Sequence, residues 1–499
     1  MKLAFDNDKY LKLQSENIIK RVSKFSGKLY LEFGGKLFDD YHASRVLPGF
    51  LPDSKLRMLL TIKDRVEVVI VINAIDIQNN KVRADLNITY ENDVLRLIDA
   101  FEASGLYVGS VCITRFQRTP SVISFRKKLT NLGIKTYLNY DIEGYPHNVA
   151  KIISEDGSGK NEYIKTDREI VVVTAPGPGS GKMATCMSQL YHENKRGIKA
   201  GYAKYETFPI WNIALKDPVN LAYEAATADL ADVNMIDPYH LEAYNQLAIN
   251  YNRDVESFPV LRTMFEAIYG KGKCPYKSPT DMGVNMAGFA ICDHNVSDQA
   301  SKDEIIRRYL NTLVLLRNGR ATQEAVDKIA LLMQALNITV QDRACVNEAL
   351  LKAKKTGTPS MALTLDNGKT ITSKTSPLLS APAALILNAL KELAGIDDDV
   401  LLISPEVIEP ISKLKIQDLG NTNPRLHLEE ALIALSICAK DDELAKKALD
   451  KISELKHTQA HSTVILSETD ESTFKKLGID LTCEPEFKAH KLYRKNDDN

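Results

Sequence analysis

The stretch from Glu169 to Thr185 reads EIVVVTAPGPGSGKMAT, and it decides how we interpret the first half of the chain. It opens with a β-branched run that favours a strand. A loop follows, and the residues from Lys182 to about Asn194 are compatible with a helix. The loop glycines are Gly177, Gly179 and Gly181. A glycine-rich loop between a strand and a helix binds anions because its N–H groups, with those of the helix start, converge on one point. We therefore predict a phosphate-loop-like strand, loop and helix.

The loop departs from the nucleotide-binding signature GxxxxGK[ST] at two positions. Pro176 replaces the first glycine, and Met183 replaces the hydroxyl residue that normally holds Mg²⁺. Ser180 or Thr185 would have to supply that hydroxyl group instead. The residues leave three interpretations open: a nucleotide triphosphate site, a site for another phosphate-bearing ligand, and a tight glycine-proline turn without a ligand.

Segments typical of strands and helices alternate on both sides of this loop. The predicted strands are Val66–Ala74, Tyr107–Thr114, Ile134–Tyr140 and Ile198–Glu206, and the predicted helices are Glu91–Gly105 and Pro120–Gly133. Strands that alternate with helices predict an α/β fold with a parallel, doubly wound sheet. Such sheets bind ligands outside the carboxyl ends of their strands.

The sequence divides into three predicted domains. Residues 1–220 form the α/β domain with the phosphate-loop-like motif, and residues 221–355 form a mainly helical region. Residues 356–499 form a mixed α/β carboxyl-terminal domain, in which the Asn-Gly pair at 367 and 368 predicts a hairpin.

A second candidate loop lies at Gly34-Gly35-Lys36, directly after a predicted strand. Lys36 repeats the glycine-then-lysine pattern, and His42 and Arg45 follow within a short polar cluster. We assign Lys36 and Arg45 to ligand binding. The alternatives are a hairpin turn at the glycine pair and a solvated polar face.

Three further residues are candidates for the chemistry beside Lys182. Glu206 lies at the end of a predicted strand, where sheets place catalytic carboxylates. Glu206 or Asp229 would act as a general base or Mg²⁺ ligand, and Arg253 would clamp phosphate or carboxylate. Lys182 would stabilise developing negative charge on a phosphoryl group. Solvated acidic side chains on helices are the alternative for the carboxylates.

Composition limits the classes of function. The formal net charge is −1, which argues against a dedicated nucleic-acid-binding protein. No run of eighteen apolar residues exists, and the seven cysteines are scattered without a CxxC pair. His457 and His461 are four residues apart but lack the HExxH glutamate, so we predict no metal site. We expect a soluble cytoplasmic protein with reduced thiols.

Several long motifs resemble one bacterial family. They are KLYLEFGGKLFDDYHASRVLPGF, VVTAPGPGSGKMATCMSQLYH, GYAKYETFPIWN, DPVNLAYEAATADLADVNMIDPYHLEAY, NYNRDVESFPVL and SPTDMGVNMAGF. The chain is similar over its whole length to the uncharacterised protein family numbered 0371, also called domain of unknown function 1846. The resemblance implies a cytoplasmic bacterial protein of about this size, with an α/β amino-terminal region, a helical region and a mixed carboxyl-terminal domain. It implies no activity.

The expected function is that of an enzyme that binds a phosphorylated ligand and transfers a phosphoryl group to, or activates, a small metabolite. ATP with Mg²⁺ is the candidate cofactor. The alternatives are an enzyme that acts on a phosphorylated metabolite without a nucleotide, and a non-catalytic metabolite or nucleotide sensor. The expected partner is a small phosphorylated molecule, without nucleic acid or membrane, in a homo-oligomer.

Overall fold

The computed structural model describes residues 2–34, 37–38, 40–83, 86 and 88–487. The chain forms two compact units. The larger unit comprises Lys2–Glu224 and Asp232–Ser301, and the smaller unit comprises Ala225–Ala231 and the chain from Lys302 onward. The domain limits after residues 220 and 355 remain predictions from the sequence.

The strands are β1 (Leu29–Phe33), β2 (Val66–Asn73), β3 (Val82–Arg83), β4 (Ile88–Thr89), β5 (Tyr107–Thr114), β6 (Thr136–Leu138), β7 (Ile170–Thr174), β8 (Gly201–Tyr205), β9 (Asn234–Ile236), β10 (Ile249–Tyr251), β11 (Gly283–Val284), β12 (Ser360–Thr364), β13 (Thr370–Lys374), β14 (Gln459–Ser462) and β15 (Asp480–Cys483).

The α-helices are α1 (Asn7–Ser23), α2 (Tyr41–Val46), α3 (Ser54–Thr61), α4 (Ala74–Gln78), α5 (Tyr90–Ala103), α6 (Pro120–Asn131), α7 (Val149–Ile152), α8 (Lys182–Lys195), α9 (Pro218–Ala226), α10 (Pro238–Tyr244), α11 (Asn252–Tyr269), α12 (Pro279–Met282), α13 (His294–Arg317), α14 (Gln323–Ala335), α15 (Ala344–Thr356), α16 (Ala381–Ala394), α17 (Pro405–Lys413), α18 (Leu428–Cys438), α19 (Glu443–Leu449) and α20 (Glu468–Lys476).

A seven-stranded sheet forms the centre of the larger unit, in the order β11-β8-β1-β7-β2-β5-β6. All its pairings are parallel, which confirms the predicted α/β class. The chain runs from β1 to β2 without pairing them, and β7 later fills the position between the two. β8 then pairs with the other side of β1. The strand order therefore reverses at β7, and a reversal of this kind marks where doubly wound sheets hold ligands.

The central strands form because their side chains are buried on both faces. Every residue of β2, with sequence VEVVIVIN, and of β7, with sequence IVVVT, is buried. A valine or isoleucine side chain contributes about 1.5–3 kcal/mol when it is fully buried. Near-continuous apolar runs are typical of parallel sheets covered by helices, and these runs made both strands predictable from the sequence.

The smaller unit contains a four-stranded sheet in the order β13-β12-β14-β15. β12 and β13 pair in an antiparallel hairpin, as the Asn-Gly pair predicted, whereas β14 and β15 are parallel. Met361 and Leu363 of β12 pack with Leu385 and Leu390 of α16 in one apolar core. The mixed α/β character of this region is therefore confirmed.

Residues 221–343 contain more strand than the helical pattern predicted. β9 and β10 form an antiparallel pair, and β11 extends the large sheet at its edge. The stretch SPTDMGVNMAGF within this region contains α12 and β11. β11 is only two residues long and begins with glycine, so it is too short to show the alternating pattern of a strand.

Two structural findings bear on the predictions made from the composition. Among the described residues, no helix is both long and apolar enough to cross a membrane. All seven cysteines are free thiols.

Candidate functional site

A cavity of about 800 Å³ opens at the carboxyl edge of the seven-stranded sheet. Its walls come from the segments that follow β5, β6 and β7 and from Glu32 of β1. This volume is within the range of small-molecule sites, about 300–1,000 Å³. The lining residues are Glu32, Thr114, Arg115, Asn139, Tyr140, Asp141, Ile142, Glu143, Gly144, Tyr145, Ile152, Ser158, Asn161, Gly179, Gly181, Lys182, Met183, Ala184 and Met187.

The glycine loop after β7 requires glycine at two positions for different reasons. Gly181 has φ +90° as the cap residue of α8, and a Cβ there would lie 3.0 Å from Cγ2 of Thr114. A Cβ on Gly177 would lie only 2.2 Å from the hydroxyl oxygen of Tyr90. The Thr114 hydroxyl also donates to the carbonyl of Ser180 at 2.7 Å. Close contact with α5 and β5 therefore fixes the path of the loop.

The two hydroxyl residues considered for Mg²⁺ are used inside the loop. Ser180 Oγ donates to the carbonyl of Gly177 at 2.8 Å, and Thr185 Oγ1 donates to the carbonyl of Gly181 at 2.9 Å. Both residues are fully buried. Asn139 Nδ2 also donates to Thr185 Oγ1 at 3.1 Å. In this geometry the hydroxyl groups stabilise the loop, and neither points to a metal site in the cavity.

Unlike the hydroxyl groups of the loop, its backbone N–H groups are not engaged in hydrogen bonds with described residues. From Gly177 to Ala184, none of the N–H groups donates to an acceptor in the described part of the chain. The first N–H groups of any helix lack intrahelical partners and carry the positive end of the helix dipole. Lys182 lines the cavity, is half-buried and makes no ion pair or hydrogen bond with a described residue. The loop therefore presents N–H donors and a positive charge beside the cavity.

Glu32 is a carboxylate that the sequence analysis missed. It belongs to β1, whose residues are all buried, and only 7% of its surface is exposed. The hydroxyl group of Tyr202 donates to Glu32 Oε2 at 2.7 Å. No described residue donates a hydrogen bond to its other oxygen, Oε1, and the side chain lines the cavity. A buried carboxylate thus lines the same cavity as Lys182.

A second polar cluster lies beside Glu32, at the carboxyl end of β8. The ammonium group of Lys204 is 2.7 Å from Glu206 Oε1 and 2.6 Å from Asp254 Oδ2. Burial opposes the charged form of Lys204, but Asp254, Glu206 and Glu32 outweigh that effect and raise its pKa. Burial raises the pKa of Glu206 to about 7, although Lys204 acts in the opposite direction. Glu206 can therefore exchange a proton near neutral pH.

Arg115 lies at the rim of the cavity, directly after β5. Its φ is +49°, which is uncommon for a residue with a side chain and is often found at functional sites. Its guanidinium donates to Asp141 Oδ1 at 2.7 Å, and both side chains are about half exposed (53% and 52%). The signal in the sequence was its position as the first residue after a predicted strand.

The structure brings part of the predicted site together. Gly179, Gly181 and Lys182 line the cavity. Gly177, Ser180 and Thr185 do not line it, but they take part in hydrogen bonds within the loop. Glu206 does not line the cavity but belongs to the cluster of Lys204.

Other predicted residues lie elsewhere. Arg253 is 59% exposed and pairs with Asp232 at 3.0 Å. Asp229 is exposed in a short 3₁₀ turn that belongs to the smaller unit. Arg45 is half-buried in α2, and Lys36 lies outside the described residues. Arg253, Asp229 and Arg45 do not line the cavity, so their roles stay predictions.

The second predicted loop follows β1, which pairs in parallel with β7 and β8. Asp40 caps α2 and lies 2.8 Å from the buried ammonium of Lys55. Burial alone would raise the pKa of Asp40, but Lys55 lowers it. The charges of Asp40 and Lys55 therefore compensate each other within the protein.

Metal-binding geometry is not found in the described part of the chain. No group of three or more His, Cys, Asp or Glu side chains there is arranged to hold a metal ion. His461 is fully buried in β14, with Nδ1 2.9 Å from Thr482 and Nε2 3.2 Å from Glu484. Both of its ring nitrogens are therefore engaged.

The fold defines an α/β protein with a glycine-rich loop between β7 and α8 at the switch point of its sheet. The chain belongs to the family described as domain of unknown function DUF1846: the amino-terminal model matches residues 3–337 and the carboxyl-terminal model matches residues 341–493.

Several relatives are similar to this chain over nearly its full length. UPF0371 proteins of Streptococcus pyogenes serotype M5 (strain Manfredo) and serotype M18 (strain MGAS8232) are each 55% identical, over 99% of this chain and 99% of the relative. The UPF0371 protein of Streptococcus thermophilus (strain CNRZ 1066) is 54% identical over 99% of this chain and 100% of the relative. The resemblance inferred from the motifs is confirmed, and none of these names states an activity.

Proposed function

We propose that this protein is an enzyme that binds the phosphate group of a small phosphorylated metabolite at the loop from Gly177 to Lys182. One observation carries the proposal. The N–H groups of the loop and the ammonium group of Lys182 lack partners among the described residues and adjoin a cavity of about 800 Å³. Donors in this arrangement stabilise a bound phosphate and any further negative charge that develops on it.

The parts of the site have separate roles in this proposal. The loop and Lys182 hold the phosphate, and the cavity beside β5 and β6 holds the rest of the metabolite. Glu206, whose pKa burial raises to about 7, does not line the cavity, so its proposed part in proton exchange is indirect, through the cluster of Lys204. The cluster of Lys204 connects it electrostatically to Glu32 at the cavity wall.

The loop geometry favours a metabolite over Mg²⁺-ATP. Met183 occupies the place of the metal-binding hydroxyl residue, and Ser180 and Thr185 donate their hydroxyl hydrogens to loop carbonyls. A phosphoryl transfer from ATP stays the second candidate because the cavity volume would admit a nucleotide.

Isothermal titration calorimetry tests the proposal with inorganic phosphate, hexose phosphates, and ATP with and without Mg²⁺. We expect phosphate compounds to bind and Lys182→Ala to weaken binding about tenfold or more, since a charged hydrogen bond contributes about 1.5–3 kcal/mol. Lys195→Ala is the matched control, because Lys195 lies in the last turn of the same helix and pairs with Glu155.

The outcomes separate the candidates. Tight ATP binding that requires Mg²⁺ and is lost in Lys182→Ala would favour the nucleotide enzyme. Binding of a sugar phosphate without turnover across a substrate panel would favour a sensor. The phosphate site itself is refuted when no phosphate compound binds, or when Lys182→Ala and Lys195→Ala bind like the wild type.

A further inference from the structure

We infer that the metabolite carries a hydroxyl group in addition to its phosphate, and that Glu32 accepts the hydrogen bond of this hydroxyl. The ligand is therefore a hydroxylated phosphate monoester, of the sugar-phosphate or polyol-phosphate class. This inference rests on the phosphate site proposed above and adds the second recognition point.

Glu32 is a carboxylate inside a buried strand. A carboxylate within a fully buried strand is costly unless it is hydrogen-bonded or paired. Glu32 is 7% exposed and occupies β1, between leucine and phenylalanine neighbours. Tyr202 and Lys204 offset part of this cost, but Oε1 receives no hydrogen bond from a described residue.

The hydrogen bond from Tyr202 orients the carboxylate of Glu32. Tyr202 donates to Oε2 at 2.7 Å, and Tyr202 is itself fully buried. The backbone N–H and carbonyl of Tyr202 both bind the hydroxyl group of Tyr276, at 2.7 and 2.6 Å. Tyr202 is thus held in place and fixes one carboxylate oxygen. Oε1 is left without a donor from the described residues, in a side chain that lines the cavity.

The charges near Glu32 favour a hydroxyl group on the ligand over an ammonium group. Lys204 already interacts electrostatically with Glu32, and Lys182 lines the same cavity. A ligand ammonium would add a like charge near both lysines. Uncharged polar side chains, Thr114 and Asn139 among them, also line the cavity, and they suit the uncharged, hydroxylated part of such a phosphate ester.

Calorimetry with a series of phosphate monoesters tests the inference on the intact protein at pH 7. The series contains propyl phosphate, glycerol 3-phosphate, hexose 6-phosphates and phosphoethanolamine, with inorganic phosphate as the reference. We expect the best hydroxylated ester to bind at least tenfold more tightly than propyl phosphate. A buried acceptor left without a donor opposes the binding of an analogue that lacks the hydroxyl group.

Variants assign the preference to Glu32. Glu32→Leu should remove the preference and leave the affinity for inorganic phosphate within about twofold of the wild type. Tyr202→Phe provides a second variant that keeps the carboxylate but releases it, and we expect a smaller preference. Glu102→Leu is the control because Glu102 is exposed on α5 and does not line the cavity, and it should keep the full preference.

The failure of this inference is distinct from the failure of the phosphate site. Equal binding of propyl phosphate and all hydroxylated esters, tighter binding of phosphoethanolamine, or an unchanged preference in Glu32→Leu would each overturn the hydroxyl assignment while inorganic phosphate still binds. If inorganic phosphate and every ester fail to bind the wild type, the proposed function is overturned together with this inference.

Discussion

Glu206 shows at the scale of one residue how burial changes chemistry. Its carboxyl group has a pKa of about 7, because burial opposes the charged form more strongly than Lys204 at 2.7 Å favours it. In the unfolded chain the same group titrates near its ordinary pKa of about 4.3. Between these values the folded state holds a proton that the unfolded state has released. This contribution to stability is complete at low pH and is lost as the pH rises to about 7.

We predict that Glu206→Gln removes this pH dependence. The free energy of unfolding of the wild type, relative to that of the variant, should fall as the pH rises from about 4.5 to 7. Urea denaturation at several pH values, followed by the fluorescence of Trp211, measures the difference, because Trp211 is the only tryptophan. Exposed Glu169 provides the control variant Glu169→Gln. Parallel curves for Glu206→Gln and the wild type would contradict the prediction.

Single residues were predicted from the sequence only where a local pattern marked them. Gly181 and Lys182 follow a β-branched run, and the structure places both at the cavity. Glu32 was missed because one acidic residue inside an apolar strand has no local signature. Its partner Tyr202 is 170 positions further along the chain. Asp254 joins Lys204 from 50 positions away, and no spacing rule connects them.

At the scale of elements, the glycine loop and helix α5 are packed so closely that one methyl group matters. A Cβ on Gly177 would lie 2.2 Å from the Tyr90 hydroxyl oxygen and 2.7 Å from its Cζ. We predict that Gly177→Ala lowers the free energy of unfolding by about 1–3 kcal/mol, as overpacking usually does. It should also weaken phosphate binding, because the loop must move. Urea denaturation and calorimetry measure the two effects.

Combination with a Tyr90→Ala substitution tests the cause of that effect. When the tyrosine ring is absent, Gly177→Ala should cost clearly less than it does in the wild type, since residues in direct contact are coupled by about 0.5–3 kcal/mol. Additive free energies would show that the methyl group acts through the backbone and not through Tyr90.

Elements were predicted more reliably than their arrangement. The predicted strand Tyr107–Thr114 agrees with β5 at both ends, and the run from Val66 differs from β2 by one residue. Hydrophobic runs and glycine stops are local signals, so the element bounds predicted from them agree with the structure. The insertion of β7 between β1 and β2 was not predictable, because pairing partners depend on contacts between distant segments.

At the scale of the whole molecule, burial sorts the seven thiols. Cys292 is exposed, Cys274 and Cys438 are partly buried, and the other four are buried. Burial raises the pKa of Cys112 to about 12 and that of Cys483 to about 12, so these thiols are protonated and protected.

We predict one fast-reacting thiol per native chain with a disulfide reagent such as DTNB, and seven after unfolding in urea. Cys292→Ser should abolish the fast phase because the remaining thiols are at least partly buried, whereas Cys438→Ser should leave it intact. A fast phase that persists in Cys292→Ser would contradict the exposure order.

The place of β7 in the sheet has a consequence for the order of assembly during synthesis. β1, β2, β5 and β6 leave the ribosome before β7. The edges of β1 and β2 that pair with β7 have no partner strand until residues 170–174 arrive. Until then each presents unpaired N–H and C=O groups, a state prone to wrong pairing. The segment that fills this gap is followed directly by the glycine loop. The glycine loop therefore takes shape only when β7 completes the sheet, and a chain truncated before residue 170 would lack both β7 and this loop.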